Sequence, residues 1–313
     1  MTDPPVVTMV IVNYETSTYL RRCVDSLRNQ SQPQEIIIVD NASPMEDWRN
    51  LQLEGTQLIR SEQNIGYGMA CNRGAAEASD ASSFICILNP DTLLRAGMLE
   101  HWVERYRQLL PNGGILAPVL VNENGGVQRS SYNFPGFASY WVNHSMMAGL
   151  LKHWKKTRAA TMPRSNTTLR DYHRVDWVMG AALLLDRETW RALGGFAPSY
   201  FLYAEDTDLC FRSWELGKPV LYDHIVEVTH TQGDPVAETR HLAMIQLFVG
   251  MKTFLRQHYP RWRRAGVTIA ITLDMILRII ALGAALLFKP GSILLRNRLR
   301  GSWQVLNMFV RSG

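Results

Sequence analysis

The sequence predicts an α/β fold: a mostly parallel central sheet flanked by helices, followed by a C-terminal helical extension. Three observations carry this. The runs Val6–Val12, Glu35–Asp40 and Ser83–Leu88 are rich in β-branched residues and apolar on both faces, as strands are when helices cover each side. Stretches with helical spacing separate them. Thr16–Arg28 sets Leu20, Val24 and Leu27 on one face, and Ile65–Ser79 reads as a second helix. Finally, the chain changes character near its end, where a helix at Glu238–His258 precedes the strongly apolar Ala265–Phe288.

The remaining elements follow in order. Thr56–Arg60 reads as a short strand, and Val119–Gly126 holds the turn Asn122-Glu123-Asn124-Gly125-Gly126 inside a hairpin. From about Tyr132 to Arg174 no period emerges, which fits a long loop or a mobile helical insertion. Asp176–Leu185 reads as a strand, and Arg187–Leu193 as a helix ended by Gly194-Gly195. Asp206–Leu216 reads as a helix ended by Gly217, and Pro219–Thr229 as a strand. In the tail, Asp274 and Arg278 are four residues apart and can pair on one helix face. Ala265–Phe288 is long enough to span a bilayer, but two charges in mid-span are costly in lipid. A helix lying in the interface, or one packed as a hairpin with the helix before it, is favoured; a buried helix pair in a soluble protein is the alternative.

Hydrophobic residues make up 46% of the 313, enough for a real core. The cysteines Cys23, Cys71, Cys86 and Cys210 are far apart and lack any metal-ligand spacing, which reads as reduced thiols of a cytosolic protein. The start Met1-Thr2-Asp3-Pro4-Pro5 has no basic or apolar segment, so no cleaved secretory signal is expected. The formal charge is +5. Its basic clusters are Lys152, Lys155, Lys156 and Arg158; Arg261, Arg263 and Arg264; and Arg296, Arg298 and Arg300. By themselves these read as a solvated basic face, but Trp154, Trp262 and Trp303 lie among them, a combination suited to an anionic membrane surface. No nucleic-acid-binding motif accompanies the charge, so no nucleic-acid partner is expected.

Ligands of such sheets bind at the carboxyl ends of the strands, which points to Asn13, Asp40 and Asn89–Asp91. Asp40-Asn41-Ala42-Ser43 offers a carboxylate to a ribose or base, although the same residues cap helices well. Asn64-Ile65-Gly66-Tyr67-Gly68-Met69-Ala70-Cys71-Asn72-Arg73-Gly74 keeps a helix start thin, for a ligand or for a neighbouring strand. No GxGxxG follows the first strand, which argues against a nicotinamide enzyme. Asp91 after Leu88-Asn89-Pro90 suits a hard cation, Mg2+ or Mn2+, that takes its other ligands from phosphate and water; a helix cap is the competing reading. Glu205, Asp206 and Asp208 crowd a helix start beside Phe201 and Tyr203. One such carboxylate can act as general base for a hydroxyl nucleophile. His230 follows a strand; a lone histidine is usually structural, but at a strand end facing a metal site it can be a ligand.

Six motifs stand in a fixed order: Val10-Ile11-Val12-Asn13-Tyr14, Val39-Asp40-Asn41-Ala42-Ser43, the Asn64–Gly74 stretch, Leu88-Asn89-Pro90-Asp91, Trp177-Val178-Met179-Gly180-Ala181 and Glu205-Asp206-x-Asp208-Leu209. In that order they resemble the family 2 inverting glycosyltransferases of GT-A fold, in particular the rhamnosyltransferase-like branch. The resemblance covers about Val6 to Gly233. It implies a catalytic domain at 1–235, with a nucleotide-sugar half at 1–118 and an acceptor half at 119–235, and a membrane-associating helical region at 236–313. It further implies that Asn13, Asp40, Asn64, Gly66, Asn72, Asn89 and Asp91 hold the nucleoside diphosphate sugar. Asp91 and His230 would ligate a divalent metal, and Asp206 would be the base. Trp177, Gly180, Ala181 and Glu205 would meet a saccharide or lipid-linked saccharide acceptor. The family's Asp-x-Asp is Asn89-Pro90-Asp91 here, which leaves Asp91 as the main carboxylate ligand. The implied donor is dTDP-L-rhamnose, with a UDP- or GDP-hexose as the alternative, and the implied place is the inner face of the cell membrane. A nucleotidyltransferase would instead need a glycine-rich basic loop after the first strand, where Asn13-Tyr14-Glu15-Thr16 stands. A catalytically dead relative would lack Asp40, Asp91 and Asp206, and all three are present.

Overall fold

A computed structural model describes residues 6–44, 51, 53–143, 145, 171–231 and 240–311. The basic cluster around Trp154, most of the 132–174 segment and Gly233 lie outside the described residues. The elements in chain order begin with β1 (Val6–Asn13), α1 (Ser17–Arg28), β2 (Gln34–Asp40), β3 (Thr56–Arg60), α2 (Tyr67–Ala76), β4 (Ser82–Leu88) and β5 (Thr92–Leu93). Then come α3 (Met98–Leu109), β6 (Ile115–Val121), β7 (Val127–Gln128), β8 (Ser131–Tyr132), α4 (Phe137–Asn143), β9 (Tyr172–Arg174) and β10 (Trp177–Val178). The last are β11 (Ala182–Asp186), α5 (Arg187–Leu193), α6 (Glu205–Glu215), β12 (Val220–His230), α7 (Arg240–His258), α8 (Arg261–Phe288) and α9 (Ile293–Val310).

The chain divides into two compact units, one of Met1–Tyr132 with Arg170–Gly233, the other of Asn133–Leu169 with Asp234–Gly313. In the first unit the strand order is β3-β2-β1-β4-β11-β6-β12-β5, with β7 paired to β6 and β9 to β12. Strands β3, β2, β1 and β4 are parallel, as their apolar runs predicted. Strand β11 runs antiparallel to β4 and β6, so the sheet is mixed. The strand expected over Asp176–Leu185 is split at Met179–Ala181. Its first part pairs with β8 in a separate ribbon, and its second enters the main sheet from the carboxyl end of β4. The expected hairpin forms between β6 and β7.

Helix α1 buries Leu20, Cys23, Val24 and Leu27, and α3 buries Leu99, Trp102, Val103 and Tyr106, against the same sheet face. Each such side chain contributes about 1.5–3 kcal/mol. The other face is approached by α2. A Cβ on Gly74 would lie 2.6 Å from Val10 and 3.0 Å from Val39, and one on Gly68 would lie 2.8 Å from Phe196. Bare backbone at Gly74 lets α2 close on the sheet, and at Gly68 on the loop after α5. Asp186 caps α5 by accepting from the Thr189 N–H, and Gly194 at φ +69° ends it.

In the second unit α8 packs mainly against α9 and α4, and α9 also meets α7. The hairpin partner of α8 is therefore the helix after it, not the one before. The sequence had shown 293–310 only as a basic cluster, because its arginines interrupt the apolar period. The Asp274–Arg278 pair forms, Nε to Oδ2 2.8 Å, and the buried Asp274 also accepts from the Tyr140 hydroxyl at 2.9 Å. Among the described residues, α8 is one helix long and apolar enough to cross a membrane, by length and composition.

Candidate active site

Between β1 and β4 the strand order reverses, since β1 leads outward to β2 on one side while β4 returns on the other. The carboxyl ends at such a switch point form the usual ligand crevice of an open α/β sheet. Asn13 and Asp40 end adjacent strands in register. The Asn13 amide donates to Asp40 Oδ1 and to Ser43 Oγ, both at 3.0 Å, and the Ser43 N–H donates to Asp40 Oδ2 at 3.2 Å. Arg60 Nε stands 4.0 Å from the same carboxylate. Asp40 and Asn13 are fully buried, so these contacts hold the floor of the crevice.

The next loop is locked onto this floor. Asn41 donates to Asn64 Oδ1 at 2.9 Å and accepts from the Ile65 N–H at 3.0 Å, while Asn64 Oδ1 also accepts from the Gly66 N–H at 3.0 Å. Gly66 has φ +85°, and a Cβ there would lie 2.5 Å from the Phe201 carbonyl oxygen. Asn72 holds both backbone groups of Phe196, donating to its oxygen and accepting from its N–H at 2.8 Å each. The structure thus places Gly66 and Asn72 against the loop that leads into α6.

Asp206 stands in the first turn of α6. Its Oδ2 accepts from the Gly180 N–H at 2.9 Å and its Oδ1 from the Thr207 N–H at 2.7 Å. The Tyr67 hydroxyl donates to the Gly180 carbonyl at 3.1 Å, so that both backbone groups of Gly180 are held. Burial pushes the Asp206 carboxyl above the usual carboxylate range, partly offset by these hydrogen bonds. Glu205 beside it is pushed up as well, by burial first and then by the Asp206 charge, and its Oε2 has no partner among the described residues. Asp208 is spoken for: it pairs with Arg212 at 2.8 Å, and that guanidinium also donates to the Gly195 carbonyl at 2.9 Å.

The Gly180-Ala181 segment carries the site onward to β4, where the Asn89 N–H donates to the Ala181 carbonyl at 2.9 Å. Two residues on, Asp91 Oδ1 lies 3.3 Å from His230 Nε2, at the end of β12. The Gln128 amide donates to the His230 carbonyl at 2.6 Å, which fixes its orientation. Its Oε1 then accepts from His230 Nδ1 at 2.9 Å. With Nδ1 as donor, the ring turns Nε2 toward the Asp91 carboxylate. Two potential ligand atoms are thereby presented side by side. Ligands on adjacent octahedral positions of Mg2+ or Mn2+ are about 3 Å apart, so the pair fits a divalent ion. Among the described residues no cluster of three or more such side chains forms, which leaves the other positions to phosphate and water. Trp177 lies in the β8–β10 ribbon, stacked on Tyr132 at 4.6 Å between centroids.

The structure therefore brings Asn13, Asp40, Asn89, Asp91, Gly180, Ala181, Asp206 and His230 to one edge of the sheet, linked by hydrogen bonds and by the short Asn89–Asp91 segment. Sequence reasoning did not single out Asn41, Tyr67 or Gln128 as site residues. Asn41 and Tyr67 stood inside quoted motifs. Gln128 carried no local signal beyond following the predicted turn.

The mixed sheet with its crevice at the carboxyl ends, bordered by these acids, defines a glycosyltransferase of GT-A fold. The chain belongs to glycosyl transferase family 2, whose model matches residues 8–181. Within the family it is similar to N-acetylglucosaminyl-diphospho-decaprenol L-rhamnosyltransferase of Mycobacterium tuberculosis (strain ATCC 25618 / H37Rv), with 27% identity covering 89% of this chain and 92% of the relative. It is also similar to rhamnosyltransferase WbbL of Escherichia coli (strain K12), with 23% identity over 65% of this chain and 75% of the relative. Among solved structures, GalNAc-T7 with UDP, GalNAc and Mn2+ superposes with a TM-score of 0.55 at 17% identity, over 80% of this chain and 48% of that one. The mannosyltransferase PcManGT of Pyrobaculum calidifontis, with GDP-Man and Mn2+, gives 0.51 at 16% identity, over 99% and 87%. At these identities the structural likeness speaks for the fold.

Proposed function

We propose that the chain is an inverting glycosyltransferase that moves L-rhamnose from dTDP-L-rhamnose onto a hydroxyl of a lipid-linked saccharide, at the inner face of the cell membrane. One observation carries this: the hydrogen-bonded path from Asp206 through Gly180-Ala181 to Asn89, two residues before Asp91 and its His230 neighbour. It links a carboxylate of raised proton affinity to the pair that would hold the cation. The name of the mycobacterial relative, an L-rhamnosyltransferase acting on a diphospho-decaprenol saccharide, supports both donor and acceptor class.

In this reading Asp40, Asn13 and the Asn41–Asn64 lock hold the nucleoside end of the donor. Asp91 and His230 would ligate a divalent ion, which supplies charge neutralisation for the departing diphosphate. Asp206 orients and deprotonates the acceptor hydroxyl, its two oxygens fixed by Gly180 and Thr207. The acceptor oxygen bonds to the anomeric carbon as the bond to the diphosphate breaks, the proton passes to Asp206, and configuration inverts. Trp177 with Gly180 and Ala181 flanks the acceptor, the ring offering a face for a sugar.

A thermal-shift screen of dTDP-rhamnose, UDP-hexoses and GDP-hexoses, each with and without Mn2+, tests the donor. A donor at 100 times its Kd stabilises the folded state by about 2.7 kcal/mol. Stabilisation by dTDP-rhamnose that needs Mn2+, with transfer to a polyprenyl-diphospho-saccharide, is the expected result. Stabilisation by a UDP- or GDP-sugar alone would replace the donor, and a metal-independent shift would remove the metal.

A further inference from the structure

The second unit contains a cavity of about 550 Å3 between the end of α7, the start of α8 and the end of α9. Four cations line it: Lys252, Arg256, Arg261 and Arg264. Leu255, Ile269 and Phe309 make an apolar wall, and among the described residues no carboxylate lines it. Among the described residues Arg256, Arg261 and Arg264 make no ion pair. Lys252 donates to the Met308 carbonyl at 2.8 Å, and burial together with the Arg256 charge holds its amine below its ordinary value.

The placement of these arginines works against helix electrostatics. The amino end of a helix carries partial positive charge and free N–H groups, and favours acids. The first turn of α8 has no acid and instead holds Arg261, Arg263 and Arg264. That arrangement becomes favourable when an anion enters the cavity.

Beside the cavity runs an exposed apolar stripe. Trp262, Ile269, Leu273, Ile276, Ile280 and Leu287 are all exposed, from 40% at Ile276 to 82% at Leu287. At about 100° per residue they fall on one side of α8, along about 38 Å. The opposite side, Val267, Ala270, Ile271, Asp274 and Met275, is buried. A full span would immerse the Asp274–Arg278–Tyr140 network and its packing partners in lipid, whereas a helix buried in protein on one side and apolar and exposed on the other suits the interface. Residues 261–313 hold nine Arg and Lys against the single acid Asp274, a charge that complements an anionic lipid surface.

We propose that this cavity seats the phosphate headgroup of an anionic membrane lipid while the α8 stripe lies in the plane of the bilayer. The inference rests on the reading that the enzyme works at a membrane, and makes that contact specific. The full chain is tested for co-sedimentation with phosphatidylcholine vesicles with and without phosphatidylglycerol, and for thermal stabilisation by soluble dihexanoyl-phosphatidylglycerol, dihexanoyl-phosphatidylcholine and inorganic phosphate. Two variants remove equal charge: Arg256→Gln/Arg261→Gln/Arg264→Gln in the cavity, and Arg296→Gln/Arg298→Gln/Arg300→Gln outside it.

Wild type and the outside variant should bind anionic vesicles and be stabilised by the soluble anionic lipid. The cavity variant should keep its fold, lose vesicle affinity by about tenfold or more, and lose the stabilisation. Equal losses in both variants would overturn the site in favour of diffuse attraction. Equal stabilisation by inorganic phosphate would make it a free-phosphate site and overturn the lipid. Vesicle binding fully retained by the cavity variant would end the inference and leave the membrane reading standing. If wild type binds no vesicle and instead self-associates in sedimentation velocity, the stripe is an interface between copies and both ideas fall, with transfer to a soluble acceptor still measurable.

Discussion

Asp206→Asn gives the sharpest test of the proposed chemistry. The carboxylate takes a backbone N–H on each oxygen, from Gly180 at 2.9 Å and Thr207 at 2.7 Å. An amide keeps one acceptor, so one N–H will face an NH2 group. That mismatch costs about 1–3 kcal/mol, opposed by relief of a carboxylate that burial disfavours. The thermal midpoint should therefore move little. The kinetic loss should be far larger. A general base supplies about 10²–10⁴ in rate, which is about 2.7–5.4 kcal/mol of barrier. Single-turnover transfer measures this directly, and calorimetric titration of donor with Mn2+ should give an unchanged Kd, since the Asn13–Asp40 floor and the Asp91–His230 pair are intact. The pH profile adds a second readout. Burial raises the Asp206 proton affinity, so the wild-type rate should climb with pH through a value above the usual carboxylate range as the base form accumulates. The variant's residual rate should lack that limb. Transfer at the parental rate, or a pH profile unchanged by the substitution, would refute the assignment.

Three further outcomes follow from contacts in the same unit. Gln128→Ala removes the acceptor that fixes the His230 tautomer, and should raise the Mn2+ concentration needed for half-maximal activity by about 10–100-fold with little effect on saturated kcat. Gly66→Ala puts a Cβ 2.5 Å from the Phe201 carbonyl at φ +85°, and should destabilise the fold by about 1–3 kcal/mol, read as a lowered unfolding midpoint. Glu205 holds its proton more tightly folded than unfolded. Below its unfolded value both states are protonated and its contribution is complete; as pH rises toward the folded value, the unfolded chain ionises first and stability is lost. Glu205→Gln should flatten that loss, so the variant should gain on wild type in midpoint as pH rises from acid to neutral. A gap between them that does not change with pH would remove the buried-acid account.

The parallel half of the sheet was legible because each strand is apolar on both faces and each crossover has helical spacing, signals that are local. The direction of β11 was not. Ala182–Asp186 is as apolar as a parallel strand, and only its short link through Gly180-Ala181, which keeps it at the carboxyl edge, makes it run back. The same segment explains the split strand. Its peptides are given to Asp206, Tyr67 and Asn89, and such tertiary demands leave no trace in a period-two pattern. In the site, the strand-end residues were readable because topology fixes where strands end. Gln128 was not, because its importance comes from facing His230 across 102 positions of sequence.

Where local rules fail is itself informative. Among the described residues, four non-glycine residues have positive φ: Glu15 at 55°, Ala42 at 65°, Tyr203 at 67° and Ala204 at 69°. Each costs about 1–3 kcal/mol unless its surroundings hold it. Glu15 follows the end of β1, Ala42 sits between Asn41 and Ser43, and the other two immediately precede Glu205-Asp206. None lies in a strand or helix interior. The strain thus falls on the turns that aim the candidate donor floor and the candidate base. It is held there by named bonds: the Glu15 N–H to Ser43 Oγ at 3.0 Å, the Ser43 N–H to Asp40, and the Tyr67 N–H to the Phe201 carbonyl at 3.0 Å. A fold selected only for stability would place glycine or asparagine at such positions. Keeping Glu15, Ala42, Tyr203 and Ala204 there ties backbone strain to the same crevice that the carboxylates mark, by an argument that does not depend on their charge.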